Sequence, residues 1–199
     1  MNFEILVSAL MAALVLEKLF ELYPGLFGQH FLPLKLGIFQ ELLAAHPDVF
    51  ERDKLRAALG VHTRSTRYLQ CVAAGAQRHD LQGQAVEPVA PEHVFLAIVE
   101  LYQRRQARDP QEALAKLRRQ LVAAYAASGL TRQDYLLGLP VVDEAITVVL
   151  DEALAQADQE RARHAALKRA YELSGQPVAV FADSLGMSVR QVQAALQQA

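Results

Sequence analysis

RYLQCVAAGAQRHDLQGQAV, residues 67–86, changes its pattern twice within twenty positions. Tyr68, Leu69 and Val72 fall at helical spacing, and Gly75 stops that run. Arg78-His79-Asp80-Leu81 and Gln84-Ala85-Val86 then flank Gln82-Gly83, which reads as a miniature β-hairpin, although Gln-Gly is a weaker turn signal than Asn-Gly. A helix joined directly to so small a hairpin predicts a mostly helical domain with one minimal sheet. It also places Arg78 where the hairpin begins.

Upstream, Thr63-Arg64-Ser65-Thr66 offers hydroxyl caps for the helix containing Tyr68. Asp48 or Glu51 starts an earlier helix that is expected to run through Leu59 and to stop at Gly60. Another, near Leu36 to Ala45, follows an extended entry set by Pro33 and is closed by Pro47. Residues 4–22 read as a helix buried on more than one side or covered by a partner, ended by Tyr23-Pro24-Gly25. Its apolar run, Ile5 to Leu16, is shorter than the roughly 20 residues that span a bilayer, and Glu4 without an early basic residue is unlike a signal peptide. No membrane association is expected. Downstream, Pro91 and Glu92 open a helix through Val94, Ile98 and Leu101 to the basic cluster Arg104, Arg105 and Arg108.

From Asp109-Pro110 the composition turns to Ala, Gln and Leu at helical spacing. This half repeats itself. Leu121, Tyr125, Ser128, Gly129, Tyr135, Leu139, Ile146 and Leu150 return 46 residues later as Leu167, Tyr171, Ser174, Gly175, Phe181, Leu185, Val192 and Leu196. Each copy reads as a helix, a Ser-Gly stop, a short helix and a final helix, and two copies are expected to pack face to face as a bundle. The domains expected are therefore 1–108 and an all-helical accessory segment, 109–199.

At 52% hydrophobic and 21% charged residues, the 199-residue chain has the composition of a globular protein. Cys71 is the single cysteine, so neither an intrachain disulfide nor a Cys-based zinc cage can form, which suits a cytoplasmic location. The formal net charge of -2 hides an asymmetry. Residues 52–78 carry Arg52, Lys54, Arg56, Arg64, Arg67 and Arg78 against Asp53 alone, a net of +5, whereas residues 109–199 carry 9 bases and 11 acids. Concentrated positive charge is the footprint of an anionic partner, with a solvated basic face as the plainer alternative.

PLKLGIFQEL, LRAAL, RYLQCV, GAQRHDLQG and EHV, in this order and spacing between residues 33 and 93, resemble the ProQ/FinO family of bacterial RNA chaperones over about Leu22 to Arg104. The resemblance implies a compact FinO-like helical domain with one small β-hairpin, here followed by the all-α extension with its two-copy repeat. It also implies binding of RNA 3′ ends, at the base of a terminator hairpin and its uridine tail, in small RNAs and mRNAs under post-transcriptional regulation. Tyr68 and Arg78 match the family's pocket for the terminal nucleotides. Lys35 matches the basic residue of its Pro-Leu-Lys motif, and Arg52 and Arg56 match positions that contact RNA backbone. Lys54 is a weaker transfer.

The residue chemistry fits that role. A helix start at Ser65 exposes unpaired N–H groups and the positive end of a dipole, flanked by Arg64 and Arg67, with Thr63 and Ser65 as caps and phosphate donors. An arginine beside a tyrosine supplies forked donors for a terminal phosphate or ribose, and the phenol adds a hydroxyl and a flat face. Alternatively, Tyr68 is an ordinary core residue and Arg78 pairs with Asp80. The sequence departs from the family at Gly60 and His62, where a basic and an aromatic residue are frequent, and at Leu32, where an arginine is common. The long basic extensions of several relatives are replaced by a mildly acidic helical segment.

An enzyme is not expected. The histidines, at 30, 46, 62, 79, 93 and 164, lack metal-ligand spacing, and no nucleophile-elbow, Walker or dinucleotide fingerprint occurs. No cofactor and no metal are implied. The alternative function lies in the tail: Ala182, Gly186 and Val192 have helix-turn-helix spacing, with Ser188 to Ala195 as the would-be recognition helix for DNA. Its single cation, Arg190, favours a module for protein contacts instead.

Overall fold

The structure, a computed structural model, describes residues 3–28 and 31–198, without the side chains of 3–9 and 198. The expected burial of Ile5 to Ala9 and the position of His30 lie outside the described residues. In chain order the elements are α1 (Phe3–Leu22), α2 (Pro24–Phe27), α3 (Ile38–Ala45), α4 (Arg52–Thr63), α5 (Thr66–Ala73), β1 (Gln77–His79), β2 (Ala85–Pro88), α6 (Pro91–Gln106), α7 (Pro110–Ser128), α8 (Arg132–Gly138), α9 (Glu144–Ser174), α10 (Val178–Ser184) and α11 (Val189–Gln198). The chain is mostly helical with one antiparallel hairpin and a helical C-terminal segment, as the sequence implies.

Local chemistry sets most boundaries. Ser65, Asp109, Thr131 and Asp143 each accept a hydrogen bond from the amide three residues on, capping α5, α7, α8 and α9. Gly129 and Gly175 adopt the left-handed conformation that ends α7 and α9, with φ of 66° and 59°. Gly60 does not stop α4, which continues through it to Thr63. The missing side chain instead leaves room for the Arg64 guanidinium, whose nitrogens lie 3.2 Å from where a Cβ would stand.

β1 and β2 pair antiparallel with Arg78 opposite Glu87 and an irregularity between Arg78 and His79. The turn is organised by Asp80, whose carboxylate accepts the amides of Gln82 and Gln84 at 3.0 and 2.9 Å. A third extended segment, which the sequence reading did not count, lies along the other edge of β1. His79 donates its N–H to Pro33 O at 2.8 Å and accepts from Lys35 N at 2.9 Å, a parallel bridge centred on Leu34.

α1 packs against α4 and buries Ala12 and Leu19, but Leu10, Met11, Leu14 and Phe20 are exposed. Among the described side chains this helix is therefore buried on one face, not on several. One apolar core runs from Leu19 to Ala157, continuous across the break between α6 and α7, and includes Phe95, Leu117, Tyr125 and Leu154. A second, smaller cluster joins Phe181, Ala182 and Val192 to Leu167 and Tyr171.

The repeat is structural. Ser128 and Ser174 each donate to the carbonyl three residues back at 2.7 Å and each accept the amide two residues on at 3.2 Å. Tyr125 packs on Tyr135 with ring centroids 5.1 Å apart, as Tyr171 packs on Phe181 at 5.3 Å. The copies do not pack face to face. The last helix of the first copy and the first helix of the second are the single 31-residue α9, about 46 Å long, so the copies sit at its two ends. In the second, α10, a turn with Gly186 at φ 65° and α11 form a helix–turn–helix with Val192 fully buried.

Candidate nucleic-acid interface

The parallel bridge uses the carbonyl before Leu34 and the amide after it, so the N–H and C=O of Leu34 itself point away from β1. Side chains take both. Tyr68 Oη accepts the Leu34 N–H at 3.0 Å, and Arg78 Nη1 donates to the Leu34 carbonyl at 2.9 Å. Tyr68 reaches this position because Ser65 Oγ accepts its amide at 3.2 Å and fixes the first turn of α5. Arg78 is carried there by β1, and its Nη2 lies 3.1 Å from His93 Nδ1 on α6. Both side chains are buried, at 7% and 8% exposure: Tyr68 is a core residue, as the plainer alternative has it, with a specific polar partner, whereas Asp80 is engaged in its own turn rather than with Arg78.

Above them lies a cleft of about 460 Å³ between α5, β1 and α6, whose walls include Thr63, Arg64, Tyr68, Arg78, His93 and Arg104. Thr63 caps nothing. It sits in the last turn of α4 with Oγ1 donating back to Leu59 O at 2.9 Å, so the capping role expected of it belongs to Ser65 alone. Arg64 is exposed at the cleft edge and Arg67 is exposed on the first turn of α5. Arg104, which sequence reasoning did not place with the site, donates to Thr66 Oγ1 at 3.2 Å and pairs with Glu100 at 2.9 Å, tying α6 to the start of α5. The signal was available in the basic last turn of α6, but only the packing of α6 on α5 brings it here.

The other expected residues lie outside this cleft. Arg52 and Arg56 both lie over the Phe39 ring, 5.6 and 5.5 Å from its centroid, on the exposed face where α4 meets α3. Lys35 follows the bridge and pairs with Glu41 at 2.5 Å, a partner that raises its pKa. Stacked arginines and an ion-paired lysine are partly immobilised cations.

Behind the cleft, His62 packs against Phe27, Phe31 and Tyr68, with ring centroids 4.8, 4.5 and 5.2 Å away. Its imidazole thus packs as an aromatic ring among aromatic rings. Burial pushes its pKa down to about 4. Burial raises the Cys71 thiol to about 11, leaving it a protonated packing residue. Among the described residues no group of three or more His, Cys, Asp or Glu side chains is placed to hold a metal ion, and no helix is long and apolar enough to cross a membrane.

Residues 11–114 match the family model described as the ProQ/FINO family. The RNA chaperone ProQ of Shewanella pealeana is 38% identical over 104 residues, covering 50% of this chain and 47% of the relative. That of Idiomarina loihiensis is 46% identical over 63 residues, covering 31% and 30%. The chain thus spans about half the length of the first of these relatives. A FinO-like RNA chaperone of Neisseria meningitidis, known from its crystal structure, is similar with 31% identity and a TM-score of 0.39, covering 43% of this chain and 88% of that one. With just over half of its length matched by the family model, the chain belongs to the ProQ/FINO family.

Proposed function

We propose that the chain is an RNA-binding protein of the cytoplasm that grips structured RNA at its 3′ end, a terminator hairpin followed by a uridine tail. The observation that carries this reading is the meeting of Tyr68, Arg78 and Arg64 in one cleft beside the capped start of α5. Tyr68 and Arg78 spend their polar ends on Leu34 and so form a rigid floor. Arg64 and Arg104 in the cleft wall, with exposed Arg67 and the first-turn amides of α5, supply the positive field for phosphates of the tail. Arg52, Arg56 and Lys35 extend that field toward the duplex stem. Catalysis has no part in it: the family is non-enzymatic. Relatives are named RNA chaperones, and protection of the RNA end or promotion of pairing with a second RNA would follow from the same grip.

The test is binding of a terminator hairpin with a 3′ U-tail by the full chain. Replacing Arg64 and Arg104 together by Ala should weaken binding by about tenfold or more and flatten its salt dependence, by roughly 0.7 in the logarithmic slope for each tail phosphate that is no longer neutralised. Arg190→Ala in α11 should leave it unchanged. Extending the RNA with a non-U 3′ sequence should cost affinity for the wild-type chain. Equal effects of Arg190→Ala and the double variant, or indifference to the 3′ end, would reject the reading, and tighter binding of duplex DNA abolished by Arg190→Ala would move it to the tail.

A further inference from the structure

A second cleft, of about 580 Å³, opens between the end of α5, the end of β2, the start of α6 and one face of α7. Its walls are mostly alanine, valine and proline, among them Ala73, Val89, Pro91, Val94 and Ala123, and none of its lining residues is charged. The volume falls within the roughly 300–1,000 Å³ of small-molecule sites. A wall without cations cannot compensate a phosphate or carboxylate, so nucleic acid and anionic metabolites are disfavoured there.

Of the polar side chains in this wall, Gln120, Ser128 and Tyr135, the last is buried with its hydrogen bond unmade. Tyr135 of α8 lines the cleft, is 1% exposed, and its hydroxyl has no hydrogen-bond partner. A buried phenol without a partner costs about 1–3 kcal/mol. Packing does not require it: the equivalent position of the second repeat is Phe181, which makes the same ring contact with Tyr171 that Tyr135 makes with Tyr125. Burial pushes the Tyr135 pKa up to about 12, so the group is a neutral donor.

We propose that this cleft binds a neutral, largely apolar small molecule carrying a hydrogen-bond acceptor, such as a carbonyl or ether oxygen, which the Tyr135 hydroxyl meets. The site belongs to the junction between the family-matched segment and the helical extension: α5, β2 and α6 come from the first, α8 and most of α7 from the second. It is independent of the RNA reading, since no residue of the RNA cleft lines it.

Nile red, neutral and carrying a ring carbonyl, is the probe. Titrated into the full chain, it should show a saturable, blue-shifted emission with one site per chain. Ala123→Trp, from a position exposed on α7, should fill the cleft and weaken binding about tenfold or more. Tyr135→Phe, which copies the packing of Phe181, should keep the fold and weaken binding roughly fivefold, the loss expected for one neutral hydrogen bond. Absence of saturable binding by the wild-type chain, or binding that either variant leaves unchanged, overturns the proposal.

Discussion

Tyr68 and Arg78 hold the two ends of one residue's peptide groups, the phenol accepting the Leu34 N–H and the guanidinium donating to the Leu34 carbonyl. Together they replace the strand that would otherwise pair this edge of the Pro33–Lys35 segment. Removing either leaves a buried backbone group without a partner, which costs about 1–3 kcal/mol. Tyr68→Phe, which keeps the ring among His62 and the core, should therefore lower stability by that amount in urea unfolding. A midpoint equal to wild type would show that water or a neighbour readily takes the place of the hydroxyl.

His62 gives the fold a pH dependence. Its pKa lies near 4 when folded, against an ordinary 6.5. Between these values the unfolded chain binds the proton and the folded chain does not, so acidification favours unfolding. The stabilising difference is complete above about pH 6.5, fades as pH falls toward 4, and amounts to at most about 3 kcal/mol. His62→Phe should flatten the stability profile across that window. A slope identical to wild type in denaturant series at several pH values would count against this assignment.

Much of this architecture was legible because its signals are local. Ser65 and Asp109 punctuate helices through bonds to their own neighbours and Gly129 through its own backbone conformation, and the repeat was visible as Tyr125 and Tyr171 each followed three residues later by Ser-Gly. What the sequence hid are relations between distant segments. That Pro33–Lys35 would edge β1 depends on bonds between segments far apart in the chain, from Pro33 to His79. The role of Arg78 depends on that edge, and Arg104 enters the cleft only because α6 packs on α5. At Gly60 the usual helix-ending signal is overridden: α4 continues to Thr63, and the Arg64 guanidinium lies over the bare Cα.

That arrangement makes Gly60 an informative position. Its backbone is helical, so Ala carries no strain, and Ala in a helix interior is favoured over Gly by roughly 0.5–1 kcal/mol. The new Cβ would meet the Arg64 guanidinium at 3.2 Å, and that exposed, flexible end can move aside. Gly60→Ala should therefore raise stability by about that amount while displacing Arg64. Thermal unfolding that shifts downward would mean that the packing of Arg64 on the bare backbone contributes more than helix propensity.

The two ends of α9 should unfold separately. Phe181, Ala182 and Val192 pack with Leu167 and Tyr171 in a cluster distinct from the core that runs from Leu19 to Ala157. Truncating a side chain in a small cluster weakens only the segments that depend on it, since elements opening below the global free energy do so as local units. Val192→Ala removes a fully buried side chain and should cost this cluster about 1–3 kcal/mol. Hydrogen exchange should then accelerate across α10, α11 and the C-terminal turns of α9, roughly ten- to a hundredfold, while amides of α5, α6 and α7 keep their protection. Equal acceleration in both regions would mean that the long helix couples its ends into one cooperative unit, and the tail would then be part of the same folding unit as the cleft floored by Tyr68 and Arg78.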